Sequence, residues 1–189
     1  RINLTVYTRV WRWYKSGAPL VDFASPDILG AILVGRPPGN LLAELQALDK
    51  PLLAVDFDAS SLGIDSFLFE NAGAGVLLAK RLHRLGHRRV AAVFEDPRKP
   101  PEKKDEAWAE RQDGFVAHWA QAKAPPPILI PLANRGDFSP AEAALRDLFR
   151  TPQAERPTAL LIPSAFMPQV RAWAALQRLR IPSQLTVMG

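Results

Sequence analysis

The chain has 189 residues, no cysteine and a formal net charge of +5. That length fills one sizeable core or two small ones, and the missing cysteines exclude a disulfide scaffold. The longest apolar run, Ile28 to Val34, is too short to span a bilayer, and no secretory signal pattern is visible. A calculated pI of 9.9 favours anionic partners only weakly. Much of the excess is arginine at predicted helix ends, where a solvated terminus is the ordinary account. The 18 prolines gather at Pro37-Pro38, Pro97 to Pro101 and Pro125 to Pro127, so they punctuate elements. Lack of cysteine suits the cytoplasm and the periplasm alike. The chain opens on Arg1, so a preceding segment is expected.

In chain order, Ile2, Leu4 and Val6 alternate with polar residues and predict a strand over Ile2 to Arg9. Val10 to Pro26, with Trp11, Trp13 and Tyr14, is compatible with a short helix. Ile28 to Val34 predicts a buried strand. Asn40 is placed to cap a helix with apolar positions Leu41, Leu42, Leu45 and Leu48. Leu52 to Val55 and Phe67 to Phe69 predict two more strands.

The stretch Glu70 to Phe94 predicts a helix, a tight stop and a buried strand. Asn71 is a good N-cap type. Gly75, Leu78, Leu82 and Leu85 recur at helical spacing, and Gly86 suits the left-handed stop. Val90 to Phe94 is unbroken and apolar, as a parallel strand covered on both faces requires. Asp105 to Ala122 then predicts a helix with Trp108, Gln112, Phe115 and Trp119 on one stripe. Ile128 to Leu132 reads as a strand. Ser139 with Glu142 forms a capping-box pattern for a helix ending near Arg150. Thr158 to Ile162, Phe166 to Leu179 and Leu185 to Met188 complete a strand, helix, strand series. Strands alternating with such helices predict α/β architecture with parallel sheets, in two doubly wound lobes.

Several patterns bear on chemistry. Leu52-Leu53-Ala54-Val55-Asp56-Phe57-Asp58 is an apolar strand ending in Asp-x-Asp. It resembles the nucleophile motif of haloacid-dehalogenase-type phosphatases, which pair the first Asp with Mg²⁺. Such sites also need a later Lys and another acidic pair. Asp96 and Asp137 stand isolated in sequence, and strand-end aspartates commonly build turns. Gly73-Ala74-Gly75 lacks the third glycine of a dinucleotide fingerprint, so close backbone packing is its better account. His83, His87 and His118 lack metal spacing; no metal and no cofactor is expected. His87 reads as a structural donor near the helix stop. Arg81 to Arg89 is basic enough to touch DNA phosphates, yet no helix-turn-helix pattern is recognisable.

The junction Glu70-Asn71, followed by Gly86-His87-Arg88-Arg89-Val90-Ala91, resembles the effector-sensing domain of the lactose/purine repressor family of bacterial transcription regulators. The resemblance extends at lower identity from about Leu29 to Gly189. It departs at Glu70, where the family has Asp, and at Leu29-Gly30-Ala31-Ile32, where an Asp entry is lost. It implies a periplasmic-binding-protein-like fold of type I, incomplete at both ends. Its lobes would divide at residues 1–86 and 87–189. Four positions match the family's ligand cleft between lobes. Arg111 lies in Arg111-Gln112-Asp113-Gly114-Phe115, matching Arg-x-x-Gly-Phe, and can fork onto hydroxyls, a carboxylate or a phosphate; the other reading is a surface arginine. Phe138 lies in Gly136-Asp137-Phe138, where an aromatic can stack on a sugar or base, or close a hydrophobic staple. Ser164 follows a strand end, where open α/β sheets bind ligands, but Pro163-Ser164-Ala165 lacks the family's carboxylate. Asn71 lines the cleft or caps its helix.

The resemblance implies a non-enzymatic, cytoplasmic homodimer sensing a small polar effector, such as a sugar or nucleobase. DNA would be bound through a domain not in this chain, and no membrane partner is expected. The alternative of the same fold is a periplasmic small-molecule-binding protein of an uptake system. A Mg²⁺-dependent phosphatase using Asp56 and Asp58 is the third reading.

Overall fold

The structure, a computed structural model, describes residues 21–37, 39–99, 105–133 and 136–189. The strand expected over Ile2 to Arg9, and most of Val10 to Pro26, lie outside them. The chain forms two compact units, Arg1–Phe69 and Glu70–Gly189. The second unit starts ahead of the boundary that the sequence suggests at residue 86, because the helix following Glu70 packs with it.

The first unit runs α1 (Val21–Ala24), β1 (Ala31–Val34), α2 (Gly39–Gln46), β2 (Leu52–Val55) and β3 (Asp65–Phe67). The strands pair parallel in the order β1-β2-β3, with Leu33 opposite Ala54 and Ala54 opposite Ser66. Leu33 and Ala54 bury one sheet face with Leu41, Leu42, Leu45, Phe57 and Ile64. Alternation along the strands sends Ile32, Val34 and Phe67 to the other face, where they are exposed. Because α2 starts at Gly39, Asn40 is the second residue of the helix, not the position before it.

The second unit runs α3 (Asn71–Arg84), β4 (Val90–Glu95), α4 (Glu106–Gln121), β5 (Ile128–Leu132), α5 (Ser139–Leu148), β6 (Ala159–Leu161), α6 (Met167–Leu176) and β7 (Thr186–Met188). Its four strands are parallel in the order β5-β4-β6-β7. All six residues of β4 are buried, as its unbroken apolar run requires of an inner strand. Trp108, Phe115 and Trp119 form the predicted apolar stripe of α4. Phe115 stacks on Trp119 at 5.6 Å, and Trp119 Nε1 donates to the Pro125 carbonyl at 2.8 Å. That bond satisfies the polar end of a side chain otherwise in the core.

Helices α3 and α4 meet backbone to backbone through one glycine on each. A Cβ built on Gly75 would fall far inside contact distance of the Arg111 carbonyl oxygen, and one on Gly114 would do the same at the Ala72 carbonyl. The two backbones therefore touch, which only missing side chains permit. The buried face of α3 is accordingly Asn71, Gly75, Ala79 and Leu82. Leu85 falls off it and is exposed, because the helix ends at Arg84. Gly86 closes it at φ +86°, with its N–H donating to the His83 carbonyl, as the left-handed stop predicts.

Two expected caps differ. Glu70, not Asn71, occupies the N-cap position of α3 and caps nothing with its side chain. Ser139 does not cap α5 either: Asp137 accepts from the Ser139 N–H at 2.9 Å, and Glu142 pairs forward with Arg146. An ionised Asp two residues upstream is the stronger acceptor, and its carboxyl is held below its usual pKa by the Ser139 hydrogen bonds.

The glycine crossing yields a paired test. Gly75→Ala or Gly114→Ala should lower stability by about 1–3 kcal/mol, the usual cost of overpacking. At Gly73 the obstacle is only the mobile Glu70 carboxylate, so Gly73→Ala should be neutral, or stabilising by up to about 1 kcal/mol. Urea unfolding of the three variants reads both outcomes.

Candidate functional site

In a parallel βα series, helices leave the carboxyl edge of the sheet and return to its other edge. The N-termini of α3, α4 and α5 therefore share the carboxyl edge of the second sheet, as does the 3-10 turn Ser164–Phe166 after β6. Asn71, Arg111, Phe138 and Ser164 all lie at that edge, where open α/β sheets take ligands.

The structure joins two of them directly. Arg111 donates to Asn71 Oδ1 from Nε at 3.1 Å and from Nη2 at 2.6 Å. Asn71 is 5% exposed, so its amide is a fixed acceptor rather than a surface group. Its Nδ2 donates to Glu110 Oε2 at 3.4 Å. This engagement explains why Asn71 does not cap α3: two charge-assisted donors hold the oxygen a cap would need. The glycine crossing makes the contact possible, since Asn71 lies one turn before Gly75 and Arg111 one turn before Phe115.

Phe138 and Ser164 form a second pair of positions. The Phe138 ring is buried, 5.1 Å from Phe166, and Phe166 closes the turn that begins with exposed Ser164. Phe138 thus belongs to the core beneath the Ser164 turn, and its ring is not an open stacking platform.

Three acidic neighbours were not legible as part of the site: Glu110 and Glu95 carry no pattern, and Asp96 reads as isolated. Glu110 precedes Arg111 and reaches Asn71; its adjacency to the Arg-x-x-Gly-Phe segment is the signal that could have found it. Glu95 and Asp96, at the end of β4, are both buried. Glu95 accepts from Lys99 Nζ and from the Asp105 N–H at 2.9 Å, so it ties the entry of α4 to the strand end. Asp96 is not isolated: it takes Arg98 Nε at 2.9 Å and Nη2 at 2.8 Å in a fork.

The other candidates settle into local roles. Asp58 accepts from the Ser60 N–H at 2.9 Å and Oγ at 2.6 Å, which makes it a turn residue with its carboxyl held low. Asp56 sits at φ +66° with its N–H on the Phe67 carbonyl. Among the described residues, no three His, Asp or Glu side chains are grouped to hold a metal. His87 Nδ1 lies 2.9 Å from Thr158 Oγ1, and burial lowers its pKa. His83 packs 4.0 Å from the Trp119 ring, and burial, then Arg88 and His118, lower its pKa.

Polar groups thus converge on the carboxyl edge of a parallel, doubly wound sheet, the edge at which open α/β folds take ligands. The chain belongs to the periplasmic binding protein-like domain family, whose model matches residues 79–189. No curated protein matches it in sequence. Solved structures share its fold. A PurR family transcriptional regulator from Vibrio parahaemolyticus is 13% identical with a TM-score of 0.72, over 94% of this chain and 64% of that one. A LacI family transcriptional regulator from Enterococcus faecium with bound ribose is 16% identical at TM-score 0.70, over 90% and 61%. A sugar-binding LacI family regulator from Escherichia coli complexed with phosphate is 14% identical at 0.62, over 94% and 60%. The chain thus spans about 60% of the length of these regulators. Among the described residues, no helix is long and apolar enough to cross a membrane.

The Asp96–Arg98 fork has a measurable consequence. Its hydrogen bonds from Arg98 hold the Asp96 carboxyl near a pKa of about 2, below the ordinary 3.8. A depressed folded-state value stabilises the fold above pH 3.8, and the contribution is lost as pH falls towards 2. Carboxyl NMR should place the Asp96 midpoint near 2, and Arg98→Ala should return it towards 3.8. Arg98 is 81% exposed, so added salt should move the midpoint the same way.

Proposed function

We propose that this chain is the effector-sensing portion of a lactose/purine repressor-type transcription regulator, binding a small polar ligand at the carboxyl edge of its second sheet. The supporting observation is the Arg111–Asn71 clamp. Two guanidinium N–H groups are spent on a buried amide, which fixes the plane of the fork and points the remaining donors along one direction. A planar, oriented guanidinium suits vicinal hydroxyls, a carboxylate or a phosphate. Ribose and phosphate, bound in two regulators of the same fold, are ligands of that chemistry.

Asn71 orients the arginine, and Ser164 supplies a minor polar contact from the neighbouring turn. Phe138 acts through Phe166, holding that turn in place. Ligand binding would favour one arrangement of the protein over another through differential contacts, and so bias a DNA-binding domain outside this chain, in a cytoplasmic homodimer. The reading requires no catalysis.

Calorimetry with ribose, other pentoses and hexoses, nucleobases and inorganic phosphate tests the proposal. At least one should bind, and Arg111→Ala should weaken it about ten- to a hundredfold, the worth of one or two hydrogen bonds to a charged group. The variant should stay folded with a somewhat lower melting midpoint, because the buried Asn71 Oδ1 loses both guanidinium donors. A panel without binders, or an affinity that ignores Arg111, overturns the reading.

A further inference from the structure

The opposite edge of the second sheet has a different character. Here α3 and α6 end and β4, β6 and β7 begin. Arg81, Arg84, Arg88, Arg89, Arg178 and Arg180 are all exposed at this edge. Backbone bonds tie the segments that carry them into one surface. The Thr158 N–H donates to the Arg89 carbonyl, the Thr186 N–H to the Thr158 carbonyl, and the Leu185 N–H to the Arg180 carbonyl. Among the described residues, none of these six arginines forms an ion pair, whereas Arg98, Arg146 and Arg150 each do. Arg88 instead donates to the His83 and His87 carbonyls, and Arg89 to the Arg156 carbonyl. Only two described carboxylates share the edge: Asp147, held by Arg150, and Glu155. Uncompensated positive charge of a +5 chain is therefore concentrated here.

Cations at helix ends answer the macrodipole, but that accounts for a charge or two per helix and not for apolar neighbours. Leu85 is 47%, Leu176 79% and Ile181 39% exposed on the same edge. Arginine interleaved with exposed aliphatics is the composition of a protein interface, whereas a nucleic-acid surface needs only the cations. We propose that this edge docks an acidic, amphipathic segment of a partner protein, with its carboxylates on the arginines and its apolar side chains on Leu176, Ile181 and Leu85. The surface is separate from the carboxyl edge and independent of the ligand-sensing reading.

Fluorescence anisotropy at low salt would compare three labelled probes: an acidic amphipathic peptide, poly-glutamate of the same length, and a DNA duplex of random sequence. The peptide should bind most tightly, and salt should weaken it. Arg84→Glu with Arg88→Glu should weaken the peptide about tenfold or more, in the range of interfacial charge pairs. Leu176→Ser, at a residue that is 79% exposed, should erase the peptide's advantage over poly-glutamate. It keeps the test decisive even where charge reversal disturbs the fold. Tighter binding of the duplex, no binding of any probe, or an unchanged peptide affinity in the Leu176 variant overturns the proposal. Sedimentation showing a dimer that Arg84→Glu with Arg88→Glu dissociates would mean a second copy covers this edge, and would overturn it as well.

Discussion

Backbone contact between α3 and α4 at Gly75 and Gly114 is the constraint on which the second unit depends. Two helices with side chains at the crossing would stand further apart. Here the Ala72 and Arg111 carbonyls occupy the space that two Cβ atoms would take. Closing that distance has two consequences. It helps seal one side of β4, whose residues are all buried. It also brings the first turn of α3 against the second turn of α4, so that a 5%-exposed asparagine meets a guanidinium. A packing feature thereby becomes a device for orienting a charged group at the sheet edge where ligands bind in this fold class.

Much of the architecture was legible because the second unit is locally consistent. The unbroken run Val90 to Phe94 could only be an inner strand, and the stripe Trp108, Phe115, Trp119 could only be a buried helix face. Gly86 declared the end of α3. The caps were less legible, since Asn71 and Ser139 have the right side chains for capping but a tertiary partner or a stronger neighbour outbid them. Asn71 was taken by Arg111, forty positions away, and Asp137 displaced Ser139. Phe138 shows the same limit: an aromatic in a turn looks alike whether its ring meets a ligand or, as here, Phe166. Arg111 was found through the family resemblance, while Glu110 and the Glu95–Asp96 pair left no pattern that spacing alone could flag.

Charge in the second unit is segregated along the strand direction. Glu95, Asp96, Asp105, Glu110 and Asp137 gather at the carboxyl edge, each near a helix start or strand end, and the unpaired arginines gather at the other. Helix dipoles favour this arrangement at both ends. At the carboxyl edge the acids are consumed by internal bonds, Glu95 by Lys99 and the Asp105 N–H, and Asp96 by Arg98. Arg111 stands among them as a cation aligned by an amide rather than neutralised by a carboxylate, which keeps its charge available to a polar ligand. The sensing role we propose for that ligand draws its support from membership of the periplasmic binding protein-like family and from the fold shared with known regulators.

The central claim is that Arg111 is pre-oriented by Asn71 before any ligand arrives. The most direct measurement is the ¹⁵N relaxation order parameter of the Arg111 Nε–H in the ligand-free protein. The account predicts a value near that of rigid backbone, about 0.85, and a fall below about 0.6 in Asn71→Ala. A low value in the unmodified protein, or one that Asn71→Ala leaves unchanged, would contradict it.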